Sequence, residues 1–134
     1  MRKAIFFFLL VAACARTGPA DFGPGEFGCE FCRMGIVNMA FKTEIISPKG
    51  KVYHFDSIEC LVSWAKDHPE EIKSRWVTDF NPPQKWIPFE KAFFLESEKI
   101  RSPMGGNLSA YASWEKLEAA RQAFGGKEIK ADAL

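Results

Sequence analysis

Sulfur carries most of the chemistry open to this sequence, which holds 4 cysteines and 4 methionines among 134 residues. Cys29-Glu30-Phe31-Cys32 places two thiols in one short stretch, and Met34 follows two residues later. Two thiolates and a thioether so close together form a soft donor set, which selects Cu(I); thiolates alone also suit Zn(II). A second sulfur stands in Pro103-Met104-Gly105-Gly106, where the glycines leave the backbone free to aim a methionine at a neighbour. His54 and Cys60 flank an expected strand-to-helix turn, and either could supply a further ligand. With Cys29 and Cys32 they would reach the four ligands of a zinc site, although the spacing matches no ribbon or finger.

Each of these residues also has a plainer reading. A C-x-x-C pair can be a structural disulfide or a redox dithiol. The thioredoxin-like case wants the motif after a strand and opening a helix. Here a Gly-rich stretch precedes it, and Met34-Gly35 is a poor helix start. Cys60, one helical turn before Trp64, can be a small core residue, and His54 a buried histidine on an apolar strand. Met104 can fill a core, as Met39 is expected to, and His68, just before Pro69, suits a helix C-terminus. No Ser/His/Asp spacing, phosphate loop or isolated carboxylate pair is present, so the sequence reads as a binding protein and not as an enzyme.

The elements that must position these residues repeat. Met39–Ile46 alternates as a strand with Phe41 and Ile45 on one face, Pro48–Lys51 is turn chemistry, and Val52–Phe55 is a return strand. Asp56 or Ser57 caps a helix, with Glu59 placed three residues after Asp56 as in a capping box. Ile58, Leu61, Val62 and Ala65 mark its buried face, Pro69 stops it, and Trp76–Thr78 is a third strand. The order then recurs: a strand over 90–97, a turn at 103–106, a strand over 108–111, and a helix opened by Ser113. In that helix Trp114, Leu117, Arg121 and Phe124 share a face, Gly125-Gly126 ends it, and Lys127–Lys130 is a last strand. The two helix entries overlay as Phe55-x-Ser57-x-Glu59-x-Leu61 on Tyr111-x-Ser113-x-Glu115-x-Leu117. The fold class is therefore α+β: two small repeated β-β-α-β modules, 29–81 and 82–134, too small to be comfortable apart and expected to share a core.

The N-terminus reads as an address. Met1-Arg2-Lys3 is followed by an apolar run, Ala4–Val11. At about 1.5 Å per residue that run falls far short of a hydrocarbon core of roughly 30 Å, which favours a signal peptide over a spanning helix. Val11-Ala12-Ala13-Cys14 resembles the bacterial lipobox, in which the cysteine is lipidated and becomes the new N-terminus. Residues 1–13 are thus an expected lipoprotein signal peptide, Cys14 the lipid anchor, and 14–28 a Gly/Pro-rich flexible tether. Loss of Arg2 and Lys3 with the leader takes the formal charge from +1 to −1. That balance excludes the basic face of a nucleic-acid binder, and 13 Phe with 4 Trp exclude a disordered chain. The expected location is the cell envelope, facing the periplasm or exterior. Ala15 is not the Asp that retains lipoproteins in the inner membrane of enteric bacteria, so it points to the outer membrane where there is one.

The ordered set of lipobox, Cys29-x-x-Cys32-x-Met34-Gly35, Tyr53-x-Phe55-Asp56-Ser57-x-x-Cys60 and Ser102-Pro103-Met104-Gly105 resembles the NosL family. These are lipoproteins linked to assembly of the copper sites of nitrous oxide reductase. The resemblance implies a membrane-anchored Cu(I)-binding metallochaperone delivering copper to an extracytoplasmic cuproenzyme. It also implies paired β-β-α-β modules similar to part of the organomercurial lyase fold, whose reaction does not transfer with the fold. Cys29, Cys32, Met34 and Met104 are the metal-binding positions it carries over. The chain departs from many relatives at Arg33, where glycine is expected; a cation there would lower the thiol pKa. The rival readings are a C-x-x-C thiol–disulfide redox lipoprotein and an interaction module stiffened by a disulfide.

Overall fold

The computed structural model describes residues 17–134; the leader expected over 1–13 and the lipidation site Cys14 lie outside the described residues. The chain folds as β1 (Thr43–Ile46), β2 (Val52–Phe55), α1 (Ile58–Asp67), β3 (Ser74–Thr78), β4 (Trp86–Pro88), β5 (Phe93–Glu96), β6 (Leu108–Tyr111), α2 (Trp114–Phe124) and β7 (Lys127–Ile129). Two antiparallel sheets result, one ordered β2-β1-β3-β4 and the other β6-β5-β7. The fold is α+β, with the β-β-α-β order running twice and β4 added to the first sheet.

The inward face of the first sheet carries Ile45, Phe55 and Val77, with Thr43 paired to Phe55 on one side and Val77 on the other. α1 covers this face with Ile58, Leu61, Val62, Trp64 and Ala65, the positions its periodicity marks. In the second unit, β5 uses both faces. Phe94 joins Leu108 and Ala110 in the core that contains α1 and β1–β3. Leu95 turns the other way, into a second cluster with Tyr111, Leu117, Ala120 and Phe41. The period-2 alternation of one short strand therefore lets a single sheet serve two cores.

Several expectations change in detail. β1 begins at Thr43, not Met39, because Asn38 builds a turn: its Oδ1 accepts from the Ala40 amide at 3.2 Å and its carbonyl from Phe41. The capping box is not formed. Ser57 is the N-cap and its side chain accepts from the Cys60 amide, leaving Glu59 for another partner. The strand expected over 90–97 is Phe93–Glu96, preceded by a tight 3-10 turn at Phe89–Lys91. β4, hidden in the sequence by Pro82, Pro83 and Pro88, lies at the edge of its sheet, where proline is tolerated. In α2 the buried residues are Leu117 and Ala120, while Trp114, Arg121 and Phe124 reach solvent. Arg121 pairs on the surface with Glu118.

The stretch that reads as a flexible tether is also held to the body from Asp21 onward. Phe22 is buried, packing edge-on against His54, and Phe27 stacks on the same ring at 4.0 Å. Lys42, itself buried, pairs with Asp21 at 3.0 Å. Two large rings outweigh a glycine-rich background once a strand face offers them a place to pack. No helix among the described residues is long and apolar enough to cross a membrane.

Candidate metal centre

Three separate pieces of chain meet at the N-terminal end of α1. The first is the C-x-x-C loop. It is closed by the bridge between Gly28 and Gly35, by the Cys29 amide donating to the Met34 carbonyl at 2.7 Å, and by the Arg33 amide donating to Cys29 at 3.0 Å. This tight return takes Arg33 into left-handed backbone (φ 67), a region that favours the glycine expected there. The second piece is the β2–α1 junction, which supplies Asp56. The Glu30 amide fastens the loop to it by donating to the His54 carbonyl at 2.8 Å. The third is the first turn of α1, whose capped amide belongs to Cys60.

The Sγ atoms of Cys29, Cys32 and Cys60 and a carboxylate oxygen of Asp56 all lie within 4.8 Å of one another. All three cysteines are free thiols, and Cys29 is 1% exposed. Cys32 donates to Asp56 Oδ2 at 3.3 Å, while Asp56 Oδ1 is buried with no hydrogen-bond partner. A buried carboxylate oxygen left unpaired costs free energy, so a cation held at this corner would relieve it.

The sulfurs are electrostatically unequal. The Cys60 thiol donates to Cys29 and, together with the backbone amides of Cys32, Asp56 and Phe31, pulls Cys29 down to about 6 against the opposing effect of burial. Cys60 is pushed upward by that same hydrogen bond and by burial, and Cys32 upward chiefly by burial. The arrangement favours the thiolate form at Cys29 and the thiol form at Cys60 and Cys32. The Arg33 guanidinium, expected to lower the thiols, instead faces Glu30 at 3.6 Å on the surface and is not what depresses Cys29.

Cys29, Cys32 and Cys60 are thus brought together. His54 is elsewhere: its Nδ1 stands 3.1 Å from Glu44 Oε1, a contact without hydrogen-bond geometry, beneath Phe27. Met34 belongs to the same loop as Cys29 and Cys32 but is 49% exposed, as Phe31 and Val37 of this stretch also are exposed. Met104, 42% exposed, sits in a turn whose flanking Ser102 bonds Glu59, so the turn leans on the same end of α1 as Cys60. Asp56 is the residue that sequence reasoning missed. Its signal is its place four residues before Cys60, masked because the same residue also suits a helix cap.

The NosL family model matches residues 24–134. Among solved structures, the crystal structure of the copper chaperone NosL from Shewanella denitrificans superposes with a TM-score of 0.72 at 22% identity, covering 87% of this chain and 95% of that one. That likeness establishes a shared fold. No curated protein matches the chain.

Proposed function

We propose, from the premise that the chain belongs to the NosL family, that it is a copper chaperone holding Cu(I) at the Cys29, Cys32 and Cys60 cluster. The observation that carries this reading is three thiols and a carboxylate within 4.8 Å, one of the thiols depressed to about 6. A preformed thiolate meets the soft cation, and Asp56 accepts the hydrogen bond of Cys32 until metal displaces its proton. Met34 and Met104 supply thioethers that bind weakly and leave easily. A recipient's ligands enter on the open side, form a mixed intermediate, and take the ion by exchange, so the protein is a carrier and not an enzyme. The proposed recipient is an extracytoplasmic cuproenzyme, nitrous oxide reductase or its assembly machinery, reached from a lipid anchor at Cys14 in the cell envelope. Loss of fatty-acid labelling in Cys14→Ser tests that anchor.

The central test is an anaerobic Cu(I) titration of the reduced protein against a chromophoric Cu(I) chelator, repeated with Zn(II). One tightly held copper per chain, lost in Cys29→Ser or Cys32→Ser, is the expected result. Failure to compete with the chelator overturns the copper reading, and tight zinc with weak copper would replace it. The low pKa of Cys29 also suits a redox dithiol. In that case the Cys29–Cys32 pair would exchange disulfides rapidly with a small-molecule disulfide while copper binds poorly.

A further inference from the structure

A loop of the second unit is fastened onto the first turn of α1 through one side chain. The Ser102 hydroxyl, buried, donates a short hydrogen bond to Glu59 Oε1, and the Leu108 amide donates to the same oxygen at 3.4 Å. Ser102 also gathers the loop around itself. Its Oγ accepts from the Asn107 amide at 2.9 Å and its carbonyl accepts from the Gly105 amide at 3.1 Å. Gly106 lies so close to Glu59 that a Cβ there would overlap the Glu59 side chain. Among the described residues, the hydrogen bonds from this loop and its following strand to α1 all end on Glu59 Oε1. Glu59 Oε2 is buried without a partner.

We infer that Glu59 is a positioning residue of the metal centre: its carboxylate latches the Ser102–Asn107 loop onto the turn of α1 that carries Cys60, and so sets where Met104 stands. The inference rests on the copper reading above and adds to it how a sulfur from the second unit is brought to a site built by the first. With Ser57 as the N-cap, Glu59 is the second residue of the helix and not the third, so it has no capping-box role and points across to the other unit. The latch is also economical, because Met104 itself stays half-exposed and able to move onto or off a bound ion.

Cu(I) affinities are to be measured by chelator competition on full-length mature wild type, Glu59→Ala, Glu59→Gln, Ser102→Ala, Met104→Ala and the Glu59→Ala/Met104→Ala double variant. Glu59→Ala and Ser102→Ala should each weaken Cu(I) binding as Met104→Ala does, roughly 10- to 100-fold, the range for residues that hold a ligand in place. The double variant should be no weaker than Met104→Ala, because the latch acts through that methionine. Glu59→Gln should keep wild-type affinity, since an amide oxygen accepts the same two hydrogen bonds. Wild-type affinity in both latch variants, an unchanged affinity in Met104→Ala, or additive losses in the double variant would overturn the inference. A variant that loses stability with no change in affinity assigns Glu59 to structure alone and also overturns it. Should wild type itself bind no copper, the copper reading fails separately. The latch is then judged by the Met104 methyl resonance of the metal-free protein, which must shift in Glu59→Ala and return in Glu59→Gln.

Discussion

Cys29 owes its lowered pKa to where its neighbours stand and not to a nearby cation. Its value of about 6 lies below the ordinary 9 because the Cys60 thiol donates to it. Thiolate absorbance of the metal-free protein should therefore titrate near pH 6, and Cys60→Ala should move that step upward. The linkage has a definite sign. Between about 6 and 9 the native state has released the Cys29 proton and the unfolded state still holds it, so stability rises with pH across that window. Above 9 the order reverses for Cys60 and Cys32, whose raised pKa keeps them protonated in the native state while the unfolded thiols ionise. Chemical denaturation of the reduced, metal-free protein across this range should show stability climbing and then falling, with the climb lost in Cys60→Ala. Arg33 makes a second test at this scale. Its left-handed backbone costs on the order of 1 kcal/mol for a non-glycine residue, so Arg33→Gly should raise the unfolding midpoint, whereas Arg33→Val should lower it.

At the scale of elements, the two helices start alike but are worth different things. Ser57 and Ser113 both cap an amide three residues on, at 3.2 and 3.3 Å. Each Ser→Ala change should cost about 1 kcal/mol in denaturant unfolding. Only Ser57→Ala should also weaken Cu(I) binding, because its cap fixes the amide of Cys60, whereas Ser113 caps the amide of Lys116 in an exposed turn. A loss of metal affinity in Ser113→Ala would show that the centre responds to general destabilisation. The same pairing explains what was legible. The repeat of Ser, Glu and Leu at both helix entries was visible because capping and core spacing are local rules. The divergent use of the two glutamates was not: Glu59 crosses to the Ser102 loop, and only the neighbouring unit makes that possible.

Across the whole molecule, the halves are joined by more than apolar contact. Asp79, buried, holds Lys116 of α2 at 2.6 Å, and its backbone bridges Ala110 of β6 in parallel fashion. The Phe80 amide donates to the Ala110 carbonyl at 2.8 Å, so the end of β3 runs directly into the second sheet. Asp79→Ala should therefore destabilise the protein by about 1 kcal/mol, chiefly through the lost Asn81 amide partner, because half-exposed Lys116 is solvated once unpaired. Because Phe94, Leu108 and Ala110 share a core with α1, unfolding should remain a single transition in calorimetry and fluorescence. Two separated transitions would show that the units are independent.

The sequence by itself determined which residues were worth watching. C-x-x-C, the paired turns and the serine caps are readable because ligand chemistry, glycine geometry and helix capping act over a few residues. It determined the α+β class and the order of the strands and helices apart from β4 for the same reason, since alternation and helical spacing are properties of neighbouring positions. Only the tertiary structure decided which sulfurs meet. Cys60 lies 28 positions beyond Cys32 and joins it because β1 and β2 must bury one face under α1, which swings the start of that helix against the loop. Asp56 became part of the cluster because it lies past the end of β2, where the chain turns into α1, whereas His54 stays within the strand under Phe27 beside Glu44. Such choices are made by the packing of distant segments, and no local pattern records them.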